Sequence, residues 1–295
     1  MATTATINST YAGDVAGAIV GKAFKESDTL SKGLVTVLPN IAYKTTVRKI
    51  EYANGRQNYS CGFAPAGSVT LTERVLEPKK IKNENELCKE DFRQVWDSAT
   101  MGFSAHNDNM PKDEAEALLV EILADTAQAT EQDIWQGDAA NDGEFDGFLK
   151  LMIADSGSDI NKVVGATLSA VNILAQLNLI YDAIPDALLN KDLIWAVPYS
   201  VEKFYKQAIG AADYKNESLV GDKPLDFLGN DLTPVSGLPA NTIIVYDKKN
   251  LFFGTGLMSD HNDVRIKDMD ESELTGQVRY KMVYTAGVQY ANGSD

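Results

Sequence analysis

The residues able to do chemistry are few in this 295-residue chain. There are two histidines, His106 and His261, and two cysteines, Cys61 and Cys88. Neither histidine has an acidic or thiol partner at metal-ligand spacing, and the cysteines are too few and too far apart for a disulfide framework or a zinc site. They are expected to be free thiols on different elements. Gly17-Ala18-Ile19-Val20-Gly21-Lys22-Ala23 is superficially like a phosphate-binding loop. It is one residue short between the glycines and has Ala23 where a hydroxyl must meet magnesium. Asp138 to Asp146 is similar to part of a calcium loop, but Ala140 and Leu149 occupy positions three and twelve, so the bidentate acid is lost and a solvated turn is expected. No Gly-x-Ser-x-Gly elbow occurs. No catalytic residue, metal ligand or cofactor is assigned, and the chain is expected not to be an enzyme. An acid-lined metal cleft around 138–146 is kept as an alternative.

The composition supports a large core. Apolar residues make up 44% and charged residues 23%, as in ordinary folded proteins. The 42 acids against 27 bases give a net charge of −15, which argues against a chain whose main work is gripping nucleic acid. The opening Met1-Ala2-Thr3-Thr4-Ala5-Thr6 does not read as a signal peptide, and no apolar run approaches membrane-spanning length, so no membrane partner is expected. A reducing cytoplasm follows as the expected place of synthesis, where the sequons at Asn8, Asn58, Asn216 and Asn292 carry no glycan.

The elements follow from periodicity. Residues 1–10 read as a mobile arm and 11–26 as a short helix weakened by glycines. Residues 33–38 are apolar and β-branched up to Pro39. Residues 44–52 and 68–76 alternate as two strands around Asn54-Gly55 and predict a long hairpin. Neither face of it carries a continuous apolar stripe, so the hairpin must lie on something else. Helices are expected over 89–101, from Pro111-Lys112-Asp113 to Gly137, over 160–182 and over 199–209, with a buried strand at Leu193–Val197. Short strands are expected at 224–228, 232–235 and 242–246, then strands at 263–268 and 277–290.

Charge is segregated. Residues 113–146 hold eleven acids and no Lys or Arg, whereas the hairpin segment 44–82 has eight bases against three acids. Self-repulsion in the acidic stretch calls for a basic partner, and the hairpin supplies one. The expected inter-subunit contacts are therefore Arg48, Lys49, Arg56, Arg74, Lys79 and Lys80 against Glu114, Glu121, Asp125 and Glu131 of a neighbour.

In the order of its parts the chain resembles the major capsid proteins of tailed phages, the Hong Kong 97 fold. Trp135-Gln136-Gly137 through Phe145-Asp146-Gly147-Phe148 resembles the exit of that family's spine helix. Leu193-Ile194-Trp195-Ala196-Val197-Pro198 resembles its central strand followed by a helix, and Leu238-Pro239-Ala240-Asn241 with Asn250-Leu251-Phe252-Phe253-Gly254 its late strand and the short segment that leaves the axial domain.

The resemblance implies an α+β fold. It has an N-terminal arm (1–36), an extended hairpin loop (37–78), a peripheral domain with the spine helix (79–158), an axial domain (159–256) and return strands of the peripheral domain (257–295). It implies a homo-oligomer of hexamers and pentamers forming the icosahedral shell of a virion assembled in a bacterial cytoplasm. The shell encloses DNA without sequence-specific binding. A separate scaffolding protein, or none, is implied, because the arm is too short for the cleavable scaffolding segment some relatives carry; a portal and decoration proteins are implied as further partners. Residues 50–78 contain no lysine, so the isopeptide cross-link of one relative is not expected. An encapsulin-type compartment holding protein cargo is the alternative of the same fold.

Overall fold

The computed structural model describes residues 28–53, 55–59, 61–62, 66–88, 112–156, 160–211, 225–257, 260, 263–269 and 275–293. The expected mobile arm at 1–10, the helices at 11–26 and 89–101, both histidines and the glycine loop at 17–21 lie outside them.

One fourteen-residue strand organises the first of two cores. β11 (Gln277–Tyr290) alternates buried Val278, Met282, Tyr284, Ala286, Val288 and Tyr290 with polar residues, a period-two pattern that puts every second side chain on one face. It pairs antiparallel with β4 (Lys79–Cys88), with β10 (Val264–Asp268) and with β9 (Leu251–Gly254). β9 in turn pairs parallel with β1 (Thr36–Leu38), which follows the short helix α1 (Asp28–Ser31). Helix α2 (Lys112–Gln136) is about 37 Å long at 1.5 Å per residue. Its Ile134 and Trp135 are fully buried, in one cluster with Met282 and Tyr284 of the sheet and Phe148 of α3 (Phe148–Ala154).

The second core belongs to a four-stranded sheet in the order β6-β7-β5-β8, made of Asp226–Phe227, Asn230–Val235, Leu193–Pro198 and Ile244–Asp247. β5 and β7 run parallel, which requires a crossover, and helix α5 (Tyr199–Ala211) supplies it. With α4 (Ile173–Asp182), it packs around Trp195, Val197, Val201 and Leu232. β5 is buried on both faces, since Trp195 and Val197 enter this core while the intervening Ala196 enters the first.

Three elements depart from the sequence expectation. Helix 160–182 is shortened to Ile173–Asp182. Residues 161–169 are non-helical, because β-branched Val163, Val164 and Thr167 and Gly165 disfavour the helix and side-chain amides replace its bonds. Ala166 N donates to Gln176 Oε1 at 3.1 Å and Leu168 N to Asn241 Oδ1 at 2.9 Å. Strand β4 was not legible, because only Ile81 and Leu87 are apolar in Lys79–Cys88 and tertiary pairing with β11 makes it a strand. Helix α3 was likewise unread, its apolar run being too short for a helical period to show. Cys61 and Cys88 are free and exposed, as expected.

The exit of α2 is closed by a backbone contact. Gly147 N donates to Gly137 O at 2.9 Å, and a Cβ on Gly147 would sit 2.6 Å from Asp133 O and 2.7 Å from Gly137 N. These are backbone atoms that cannot step aside. Gly147→Ala is therefore expected to destabilise the chain by about 1–3 kcal/mol, the usual cost of overpacking, read as a lower midpoint in chemical denaturation. Unchanged stability would show that the two ends of the loop can separate freely.

Candidate assembly surface

The hairpin is a separate two-stranded sheet, β2 (Thr45–Tyr52) with β3 (Val69–Leu76), whose register pairs Val47 with Arg74, Arg48 with Glu73, Ile50 with Leu71 and Tyr52 with Val69. Directly opposed residues share a face. One face, carrying Val47, Lys49, Arg74 and Leu76, turns to the body: Leu76 is 1% exposed and Val47 is buried. The root is seated where the sheet has no side chains, at the opposed glycines Gly254 and Gly287. A Cβ on Gly254 would lie 2.7 Å from Leu76 Cδ2, and one on Gly287 2.9 Å from Pro78 Cα.

The other face corrects a sequence expectation. Along each strand its apolar residues are only two in a row, but the register assembles Ile50, Leu71, Tyr52 and Val69 into one patch. These side chains are 71%, 55%, 67% and 67% exposed. A patch of this kind on a protruding element marks an interaction surface. A cross-strand pair, Arg48 with Glu73 at 3.6 Å, bounds it on the body side, with exposed Val75 beyond.

The basic residues chosen from the sequence are largely engaged within their own chain. Besides Arg48, Lys49 Nζ donates to Asn292 Oδ1, Arg74 Nη1 donates to Asp155 Oδ2 at 2.6 Å and Lys79 Nζ donates to Ala139 O at 3.1 Å. Arg56 and Lys80 are partly or fully exposed. On the acidic side, Asp125 is exposed, whereas the side chains of Glu114 and Glu121 lie outside the described residues. Glu131 does not fit the set. It is 1% exposed and accepts from Thr29 N at 3.1 Å and Thr29 Oγ1 at 2.6 Å of its own chain, with Trp135 Nε1 donating to the same hydroxyl at 2.7 Å. Nothing in its sequence neighbourhood distinguishes this carboxylate from its exposed neighbours.

The acidic stretch also finds relief within the chain. Lys150 Nζ, four residues beyond it, donates to Asp138 Oδ1 at 2.5 Å and Asp146 Oδ1 at 2.6 Å. Asp138 N donates to Glu144 Oε2 and Ala139 N to Asp146 Oδ1, both at 2.9 Å, so the calcium-like loop spends its carboxylates on its own backbone. No group of three or more His, Cys, Asp or Glu able to hold a metal occurs among the described residues. No described helix is long and apolar enough to cross a membrane.

Comparison with solved structures places this geometry. A chain from the capsid of a native GTA particle matches with a TM-score of 0.60 and 14% identity, over 98% of this chain and 93% of its own. A chain from Mycobacterium phage Adephagia matches with a TM-score of 0.59 and 13% identity, over 97% and 89%. The capsid structure of cyanophage P-SCSP1u gives 0.59 and 13%, over 97% and 91%. The fold is that of these phage-type capsid structures. No family model matches the sequence, and no curated protein matches it. The likeness runs through nearly the whole length of this chain.

One acid on the long helix is ill-placed. Burial, and then the negative charge of Glu144, push the half-buried Asp133 carboxyl up to about 6 from 3.8. The folded chain then holds a proton that the unfolded chain has released, so stability falls as pH rises from about 4 to about 6. Because solvent screens a half-buried group, Asp133→Asn is expected to stabilise the chain at pH 7 by about 1 kcal/mol. Denaturation at pH 7 and below pH 4 checks this: the gain should be present in the first and absent in the second.

Proposed function

We propose that this chain is a structural shell subunit, the major capsid protein of a tailed phage of the Hong Kong 97 type. On this reading it assembles into hexamers and pentamers around genomic DNA. The observation that carries it is the near full-length fold match to capsid structures, joined to a projecting hairpin whose outer apolar face is exposed among the described residues. An isolated two-stranded hairpin is marginal in water and gains stability when another surface covers it. A second copy is the natural cover, since repetition around a closed symmetric ring satisfies every hairpin at once.

In this reading residues 37–78 are the extended loop, 79–158 and 257–295 the peripheral domain and 159–256 the axial domain, with scaffold, portal and decoration proteins as separate partners. The apolar patch carries the inter-subunit contact, and exposed charges elsewhere on the subunit, Arg56, Lys80 and Asp125 among them, set register and encounter rate. The net charge of −15 suits a wall along which packed DNA must slide.

Negative-stain microscopy of the purified protein tests the proposal. Shells or rings are expected from the native sequence, and Ile50→Asp with Leu71→Asp is expected to abolish them while leaving the far-ultraviolet circular dichroism unchanged. A monodisperse single-chain species under all salt and crowding conditions would overturn the reading. Protein cargo in place of nucleic acid inside the shells would redirect it to an encapsulin-type compartment.

A further inference from the structure

The hairpin projects from the body as a lever, and its direction is set by a small group of side chains near its base. Leu76 in the glycine slot and Gln289 Nε2, donating to Val75 O at 3.0 Å, hold the root. One row further out, Arg74 bonds Asp155 at 2.6 Å and lays its guanidinium 4.2 Å from the centroid of the Tyr290 ring. The Tyr290 hydroxyl donates to the same Asp155 oxygen, closing a three-membered cluster from three elements: β3, the C-terminal cap of α3 and the end of β11. Lys49 reaches Asn292 on the same face of the hairpin. Asn292 is itself fixed, its backbone N donating to Asn250 Oδ1 at 2.7 Å and its carbonyl accepting from Asn250 Nδ2 at 2.6 Å. Beyond this row the side chains of Ile50, Tyr52, Val69 and Leu71 are exposed.

We propose that Arg74, Asp155 and Tyr290, backed by Lys49 and Asn292, are a latch that sets the angle at which the hairpin leaves the body, and that breaking it frees the hairpin to swing about its root. The row of Tyr52 and Val69 lies seven residues beyond Leu76 at the root, about 23 Å at the strand rise, so a rotation of about 15° moves it by about 6 Å. Arg74 and Asp155 are partly exposed, with side-chain exposures of 26% and 35%, while the Tyr290 ring beneath them is buried, so water can replace the Arg74–Asp155 bond when the latch opens. That combination, a fixed angle held by bonds that are replaceable, suits an element that must find one orientation and then adapt to it. The value of this angle to assembly rests on the capsid reading above; the latch itself does not.

The chain carries its own probes. Cys61 sits on the hairpin and Cys88 at the end of β4 in the body, both free and exposed. Spin labels on the two native thiols report the hairpin-to-body distance by pulsed dipolar spectroscopy on the unassembled full chain. The native protein is expected to give one narrow distribution. Arg74→Gln and Asp155→Asn are expected to broaden or shift it by roughly 6 Å or more with unchanged circular dichroism. Tyr290→Phe keeps the ring under Arg74 and loses only the hydroxyl bond, so it reads the latch even if Asp155→Asn fails to fold, and a smaller broadening is expected. A native distribution that is already broad, or one unchanged in both Arg74→Gln and Tyr290→Phe, overturns the latch. Microscopy of the same samples reports separately on assembly, so loss of the latch and loss of the capsid reading are distinguishable.

Discussion

The structure depends on the register of one strand. β11 pairs with three others, and its fourteen residues meet most of what surrounds it: Thr285 bonds the β9 exit, Tyr284 lies 3.1 Å from Thr130 of the long helix, and Gln289 and Tyr290 hold the hairpin base. A slip of one residue would exchange buried Met282, Tyr284 and Val288 for Val283, Thr285 and Gln289, and it would misalign Gly287 from Gly254. The hairpin root has no seat without that glycine pair. Core, helix and hairpin therefore stand or fall together with this pairing.

A second constraint joins the long helix to the other sheet. Glu131, buried on α2, is hydrogen-bonded by Thr29, and the adjoining Asp28 accepts from Tyr199 OH at 3.1 Å and from Ser236 N at 3.0 Å. Burial, with Asp28 beside it, pushes the Tyr199 hydroxyl up to about 12, so it remains a donor at any ordinary pH. Lys32 Nζ adds a bond of 2.7 Å to Pro234 O. Residues 28–32 thus tie helix and sheet through polar groups in a place where apolar packing alone would not fix an angle. A buried carboxylate of this sort is tolerated because its partners are already in place, and losing one would leave a desolvated charge.

The projecting hairpin shows how an interaction surface can be hidden in a sequence. Ile50, Tyr52, Val69 and Leu71 are unremarkable within their own strands and become a patch only when the turn sets the register. Lys49 and Arg74, expected to reach the acids of a neighbouring subunit, bond to their own body, because α3 and the end of β11 bring Asp155 and Asn292 beneath them. Lys150 settles the acidic loop for the same reason, through a helical turn that the sequence did not announce.

Periodicity and end signals alone were enough for the elements whose period is long and whose ends are marked. These were the hairpin strands around Asn54-Gly55, the long helix closed by Gly137, the β5–α5 unit and the terminal strand, and with them the order of parts that resembles a capsid subunit. Only the tertiary structure decided that Lys79–Cys88 is a strand, that 160–172 is not helix, that Glu131 is buried and that the hairpin has an apolar outer face. The physical reason is common to all four. Local propensity is worth tenths of a kcal/mol per residue, whereas pairing with β11, a side-chain amide in place of a helix bond, or a cross-strand register is contributed by residues far away in the chain.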